Sequence, residues 1–282
     1  MTEAFRKKTI LITGATNGIG FCAAQKLAEL GHKVILHGRS NQKGEAALVA
    51  IKKHVPQADI SFIQADFSSL QQVRALAQTI NQLPQLDILI NNAGAMFFQR
   101  QQTEDGYEAT FAVNHLAPFL LTQLLLDKLK TAGNARIVNV ASNAHRRAGP
   151  LNFDDLMSQK SYAPFKVYCR SKLANMLFTH TLAQRLVGTD VTAHCLHPGV
   201  VKTGFGHNSH GLIRLLITLA GIFFMIPPEK GAKTLVHLAT SEEGGRGGGR
   251  YFVACKEANP APFATSDAQA NRLWLESVRL TA

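Results

Sequence analysis

Thr13-Gly14-Ala15-Thr16-Asn17-Gly18-Ile19-Gly20 follows directly on the β-branched run Thr9-Ile10-Leu11-Ile12, and Ile19, Ala23, Leu27 and Leu30 then recur at helical spacing until Gly31. That pattern predicts a strand, a tight turn and a helix. Glycines at 14, 18 and 20 let the backbone approach a ligand closely, and the first N–H groups of the helix have no partner within it. A pyrophosphate fits such a place, so the turn is expected to bind a dinucleotide. Its spacing, G-x-x-x-G-x-G, departs from the commoner G-x-G-x-x-G fingerprint.

Outward from this turn the alternation repeats. Strand patterns at 33–36, 60–64 and 87–90 are interleaved with helical ones at 41–54 and 69–82. Then come a long helical stretch at 103–130, strands at 136–140 and 191–196 with a helix at 165–186 between them, and a last pair at 229–239 and 251–254. Strands this apolar on both faces imply a mostly parallel sheet with helices on either side. The reading is α/β: a single doubly wound Rossmann-type domain spanning 1–282, with about seven strands. The 46% hydrophobic content supports a sizeable core and excludes wholesale disorder.

The net charge of +11 is spread thinly, with no run longer than Arg6-Lys7-Lys8. A solvated basic surface accounts for it better than a nucleic-acid stripe. The Gly244 to Arg250 stretch, GGRGGGR, superficially resembles an RNA-binding box, yet a single copy between a helix and a strand pattern reads as a loop, and no nucleic-acid partner is expected. Cys22, Cys169, Cys195 and Cys255 form no C-x-x-C pair, which argues for a reducing cytoplasm over a disulfide framework. The polar Met1 to Lys8 and the short apolar run after it predict no signal peptide.

At the end of the second strand pattern stands His37-Gly38-Arg39-Ser40-Asn41-Gln42-Lys43. A site for NAD usually carries Asp or Glu there to hold the adenosine ribose. Gly38 leaves that position empty, and Arg39 with Lys43 can hold a 2′-phosphate, so the expected cofactor is NADP(H). An Arg39 that merely stacks on adenine is the alternative. Tyr168 and Lys172, four apart on a predicted helix, project from one face. An ammonium beside a phenol favours the phenolate, which suits proton transfer to or from a carbonyl or alcohol. Ser142 follows the fifth strand pattern, where ligand-facing residues of such sheets gather, and Asn114 lies in the long helix before it. If that helix runs through Pro118, the Asn114 carbonyl has no i+4 partner and is open to a water; a kink or helix end at Ala117 is the alternative.

Taken together these residues resemble the short-chain dehydrogenase/reductase family, over nearly the whole chain. The markers are TGATNGIG from Thr13, Asp66-Phe67, Asn91-Asn92-Ala93-Gly94, Asn114, Ser142, Tyr168-Cys169-Arg170-Ser171-Lys172 and His197-Pro198-Gly199. The resemblance implies that Tyr168 is the general acid/base and that Lys172 tunes it and binds the nicotinamide ribose. It further implies that Ser142 holds the substrate oxygen and Asn114 positions a relay water. It places Gly14, Thr16, Asn17, Gly18, Ile19, Gly20, Asp66, Phe67, Asn92, Ala93, Gly94, Pro198, Gly199, Val201 and Thr203 around the cofactor, together with Arg39, Lys43, Tyr168 and Lys172.

RIVNVASNAHRRAG from Arg136, YCRSKLANMLFTHTLAQRL from Tyr168 and NRLW from Asn271 look like the retinol dehydrogenase-like branch. Two departures bear on retinoid specificity. Ala141 stands where the branch has the first of two serines, and the N-terminal membrane anchor of many animal members has no counterpart in Met1 to Lys8. LIRLLITLAGIFFMI, Leu212 to Ile226, is too short for a span of ~20 residues. Apolar on both helical faces, it reads as a substrate lid within 205–228, or as a peripheral membrane contact through 212–226. The expected partner is a small apolar carbonyl or alcohol, retinoid-like or a long-chain aldehyde or ketone; a homodimer is compatible. His207 and His210 lack a closed ligand set, so no metal is expected. A catalytically silent dinucleotide-sensing or scaffold protein on the same fold is the rival reading, although such proteins often lose the tyrosine or lysine.

Overall fold

The computed structural model describes residues 6–199 and 226–282. Among them, β1 (Thr9–Ile12), β2 (Lys33–Gly38), β3 (Ile60–Gln64), β4 (Ile88–Asn91), β5 (Ala135–Val140), β6 (Val191–His197), β7 (Tyr251–Val253) and β8 (Lys256–Glu257) form one sheet. Its order is β3-β2-β1-β4-β5-β6-β7-β8, parallel throughout except for the antiparallel β7–β8 pair. The chain winds outward from β1 to β3, then returns to lay β4 on the other side of β1. That reversal opens a crevice at the carboxyl ends of β1 and β4, where ligands of such sheets bind.

Seven helices cover the sheet among the described residues: α1 (Gly18–Glu29), α2 (Asn41–His54), α3 (Leu70–Asn81), α4 (Ala109–Thr131), α5 (Pro164–Arg185), α6 (Pro228–Thr240) and α7 (Asp267–Leu280). Strand residues alternate between two cores, as their period of two requires. Ile10, Ile12, Ile88, Ile90, Val138 and Val140 meet Leu27 of α1 and Leu235 and Leu238 of α6. On the opposite face, Leu11, Leu89 and Ile137 meet Leu76 of α3, Leu121 and Leu125 of α4, Leu173 of α5 and Trp274 of α7. Each such side chain is essentially inaccessible to water and contributes about 1.5–3 kcal/mol through burial. Helix α4 is long and apolar enough by composition to span a membrane, but it lies mostly buried within this core.

Several boundaries differ from the sequence expectation. The long helix begins at Ala109 because Glu108 caps it, its carboxylate accepting from Thr110 N–H at 2.8 Å and Phe111 N–H at 2.7 Å. Residues before it form a turn through Gly106, at φ +85°. The helix does run through Pro118. It accommodates the missing N–H with a π turn over Ala112–Leu116, in which Ala117 N–H donates to the Ala112 carbonyl. The sheet has eight strands among the described residues, the eighth being two exposed residues with no apolar pattern to announce them. The glycine-arginine stretch is stapled internally. Arg246 pairs with Glu242, and Arg250 reaches Glu243 at 3.8 Å and Glu257 at 3.4 Å while lying over the Phe252 ring. Val201, Thr203, His207, His210 and the lid up to Met225 lie outside the described residues.

Candidate active site

The glycine turn is built by contacts from both sides. Gly14 has φ +65°, and a Cβ there would lie 2.8 Å from Ala93 Cα, so only glycine lets β1's loop pass this close to the loop after β4. Thr13 Oγ1 accepts from the N–H groups of Asn92 and Ala93, both at 3.0 Å, and the Asn92 amide donates to the carbonyls of Thr13 and Gly14 at 2.9 and 3.0 Å. A Cβ on Gly20 would come within 2.5 Å of that amide. Helices α2, α3 and α7 are capped by the hydroxyls of Ser40, Ser69 and Ser266. Asn17, at the N-cap of α1, makes no such side-chain bond. The first amides of α1 thus have no side-chain cap from Asn17, and the positive end of the helix dipole stands behind them.

Arg39 is exposed at the carboxyl end of β2, with Lys43 exposed one turn into α2, and no acidic side chain stands at 37–40. A Cβ on Gly38 would meet Thr16 Cγ2 at 2.7 Å, so a larger residue there would push on the glycine turn. Asp66 is half-buried and its carboxylate accepts from Ser68 N–H at 2.9 Å. Phe67 is buried, its ring stacked on His37 at 4.3 Å. Gly94 is exposed above Lys172 and Asn114: a Cβ placed on it would lie 3.3 Å from Lys172 Nζ and from Asn114 Oδ1. Pro198 and Gly199, the latter at φ +95°, follow β6 at the same edge of the sheet.

Helix α5 carries Tyr168 and Lys172 across the carboxyl end of β5. The Tyr168 phenol stands near the Ser142 hydroxyl, which acts to lower its pKa and itself accepts from Ala144 N–H at 3.1 Å at the start of a 3-10 turn. Burial pushes the Tyr168 phenol up to about 12, against the lowering effect of Ser142. The sequence expectation is that the Lys172 ammonium favours the phenolate; burial acts in the opposite direction. Lys172 Nζ stands 5.7 Å from the Tyr168 ring centroid and donates instead to the Val140 carbonyl at 3.0 Å. Burial without a carboxylate partner brings the lysine itself down to about 8.

Asn114 is inaccessible to water and clamps three segments. Its Oδ1 accepts from Ala95 N–H at 2.7 Å, and its Nδ2 donates to the Ala95 carbonyl and to Ser171 Oγ, both at 2.9 Å. The side chain thus ties the loop after β4 to α5, two residues from Tyr168's neighbour Cys169. Thr13, Ser171 and His145, which the sequence shows only as members of longer motifs and without a role of their own, also hold the site together. His145 Nδ1 donates to the Ser142 carbonyl at 2.6 Å while Nε2 accepts from Ala261 N–H at 3.1 Å. A threonine at a strand end and a serine within a helix carry no periodic signal, so only coordinates reveal them. Asn114, Ser142, Tyr168 and Lys172 come together at the carboxyl edge that also bears the glycine turn.

A model of the short chain dehydrogenase family matches residues 8–211. Human retinol dehydrogenase 14 is 42% identical, the alignment covering 95% of this chain and 84% of the relative. A crystal structure of an uncharacterized protein from Mycobacterium Paratuberculosis superposes with a TM-score of 0.79 at 30% identity, over 99% of this chain and 94% of its own. The Pseudomonas aeruginosa RhlG/NADP active-site complex superposes with a TM-score of 0.70 at 25% identity, over 88% and 95%. Similarity of that extent makes this chain a member of the short-chain dehydrogenase/reductase family of oxidoreductases.

Proposed function

We propose that this protein is an NADP(H)-dependent alcohol dehydrogenase/carbonyl reductase for an apolar substrate, retinoid-like or a long-chain aldehyde or ketone, with Tyr168 as general acid/base. The observation that carries the reading is the buried Tyr168 phenol near Ser142, with the Nζ of a buried, carboxylate-free Lys172 5.7 Å from its ring centroid. The residues fit a dinucleotide. Gly14 and Gly20 let the turn pack against the loop after β4 where a Cβ would clash, α1 begins without a side-chain cap, and Arg39 is a free-standing cation where a carboxylate would repel a 2′-phosphate. Gly14, Thr16, Asn17, Gly18, Ile19 and Gly20 would hold the pyrophosphate side, and Arg39 and Lys43 the 2′-phosphate. Asp66 and Phe67 would line the adenine side, with Asn92, Ala93, Gly94, Lys172, Pro198 and Gly199 toward the nicotinamide. When bound, NADP(H) supplies or accepts the hydride.

The protein's own groups manage the proton. A substrate oxygen between Ser142 and Tyr168 takes hydrogen bonds from both, and in the reducing direction the Tyr168 proton passes to that oxygen as its negative charge develops. Burial keeps Tyr168 protonated at neutral pH, which suits it to act as the acid. Lys172, a cation below about pH 8, opposes the negative charge left on the phenolate oxygen. Asn114 has committed its side chain to Ala95 and Ser171, so a relay water would be held by its main-chain carbonyl, to which Pro118 offers no N–H. The apolar run Leu212 to Ile226 and the name of the retinol dehydrogenase relative both support an apolar substrate. The test is NADPH oxidation with retinal and a series of alkanals. Turnover that is abolished in Tyr168→Phe, with NADPH affinity kept, supports the assignment. Cofactor binding without turnover on any carbonyl would favour a sensor, and normal turnover in Tyr168→Phe would overturn the mechanism.

A further inference from the structure

We infer that His37 is a positioning residue that holds the glycine turn in its dinucleotide-binding shape by tying together the carboxyl ends of β1, β2 and β3. The inference rests on the dinucleotide reading above. His37 sits on β2 immediately before Gly38, and only 2% of its surface is exposed. Its Nδ1 lies 3.3 Å from Gly14 N, which donates to it, and its main-chain carbonyl accepts from Ala15 N–H at 2.9 Å. On the other side its Nε2 lies 3.0 Å from the Ala65 carbonyl, and its ring stacks on Phe67.

These contacts fix the chemistry of the ring. Gly14 N–H can only donate, so Nδ1 must present a lone pair; the Ala65 carbonyl can only accept, so Nε2 must carry the proton. Burial, which pulls the imidazole down to about 4, keeps this neutral tautomer in place at physiological pH. His37 therefore claims the first two amides of the turn, and the N–H groups left to meet phosphate begin further along, toward the uncapped start of α1. Gly14 is gripped from the opposite side by the Asn92 amide on its carbonyl. A side chain with no acceptor at 37 would leave Gly14 N–H unpaired in a half-buried place, and the turn would rotate to find another partner. Because Gly14 already passes Ala93 at the limit of contact, that rotation would disturb the amides beyond it.

The test compares His37→Leu and His37→Asn by direct titration of NADPH and NADH into the intact protein, followed by kinetics and by amide exchange without cofactor. His37→Leu should weaken both cofactors alike, by about tenfold, since the pyrophosphate is common to them. The rate at saturating cofactor should change less than about twofold, as Tyr168 and Ser142 stand apart from β2. The asparagine oxygen can replace Nδ1 as acceptor, so His37→Asn should recover most of the affinity. Amide exchange should speed up at residues 14–15 in His37→Leu and recover in His37→Asn. Unchanged dissociation constants in His37→Leu, or a folded His37→Asn as weak as the leucine variant, would overturn the inference. If the leucine variant does not fold, the asparagine variant decides: near-normal affinity supports the role and a tenfold loss refutes it. Failure of the unaltered protein to bind either nucleotide would refute the dinucleotide reading instead, while the exchange comparison still reports on the clamp.

Discussion

Replacing Lys172 with methionine should make the cofactor-free protein more stable while destroying its activity. The lysine is 3% exposed, has no carboxylate partner, and is brought from 10.5 down to about 8 by burial. At about 1.4 kcal/mol for each pH unit, holding it as a cation at pH 7 costs on the order of 3 kcal/mol. Methionine of similar length removes that cost. It also removes the bond to the Val140 carbonyl, worth ~1 kcal/mol, although Asn175 Nδ2 remains 3.5 Å from the same oxygen. A net gain of roughly 1–2 kcal/mol corresponds to a rise of about 2–3 °C in Tm for a domain of this size. The pH dependence fixes the cause. Because the folded-state pKa is depressed, the unfolded chain binds the proton more tightly between about 8 and 10.5, and the wild type gains stability as pH rises through that window. The variant's advantage should be complete below pH 8 and gone near pH 10.5. Scanning calorimetry of both proteins without cofactor across that range measures it. An equal or lower Tm for Lys172→Met at pH 7, or an advantage constant to pH 10.5, would refute the reasoning.

Three further outcomes follow from named contacts. Arg39→Ala should raise the dissociation constant of NADPH by about tenfold or more while leaving NADH nearly unchanged, because the charge-assisted contact is to the 2′-phosphate alone; equal losses in fluorescence titrations would reject that role. Arg136→Met should lower stability by about 2–4 kcal/mol in urea unfolding, since the buried guanidinium donates to the carbonyls of Leu238 at 2.9 Å and Ser241 at 2.6 Å at the end of α6, and methionine leaves both unpaired. Gly44→Ala should cost about 1–3 kcal/mol in the same assay despite alanine's better helix propensity, because its methyl would lie 2.4 Å from the Phe62 ring; a stabilised variant would mean that the ring moves freely.

The sheet was legible in the sequence because β1, β2, β4 and β5 are buried on both faces and read as unbroken apolar runs. Gly14, Tyr168 and Lys172 were legible because their spacing is itself the chemistry. Glu108 as a helix cap was not, since its two acceptor bonds depend on a turn through Gly106, two residues earlier. Nor was the balance of forces on Tyr168. Spacing shows that Lys172 is near, but only the folded structure shows that the ammonium bonds the Val140 carbonyl and that burial pushes the phenol up. His37 was hidden for a related reason: a histidine inside a strand pattern looks like any core residue until both ring nitrogens are seen to have main-chain partners.

The central strands carry one polar thread through this apolar interior. Asn91 Nδ2 donates to Asn139 Oδ1 at 2.8 Å and to Thr122 Oγ1 at 3.0 Å, and Asn139 Nδ2 donates to Thr179 Oγ1 at 2.9 Å. In a sheet covered on both sides, sliding β5 along β4 by one residue would exchange aliphatic side chains between two equally greasy layers, and the hydrophobic effect would scarcely object. It would, however, strand both amides among leucines and isoleucines at about 1–3 kcal/mol for each lost partner. The asparagines therefore act as a keyway during folding, admitting only the alignment that brings Ser142 level with the glycine turn.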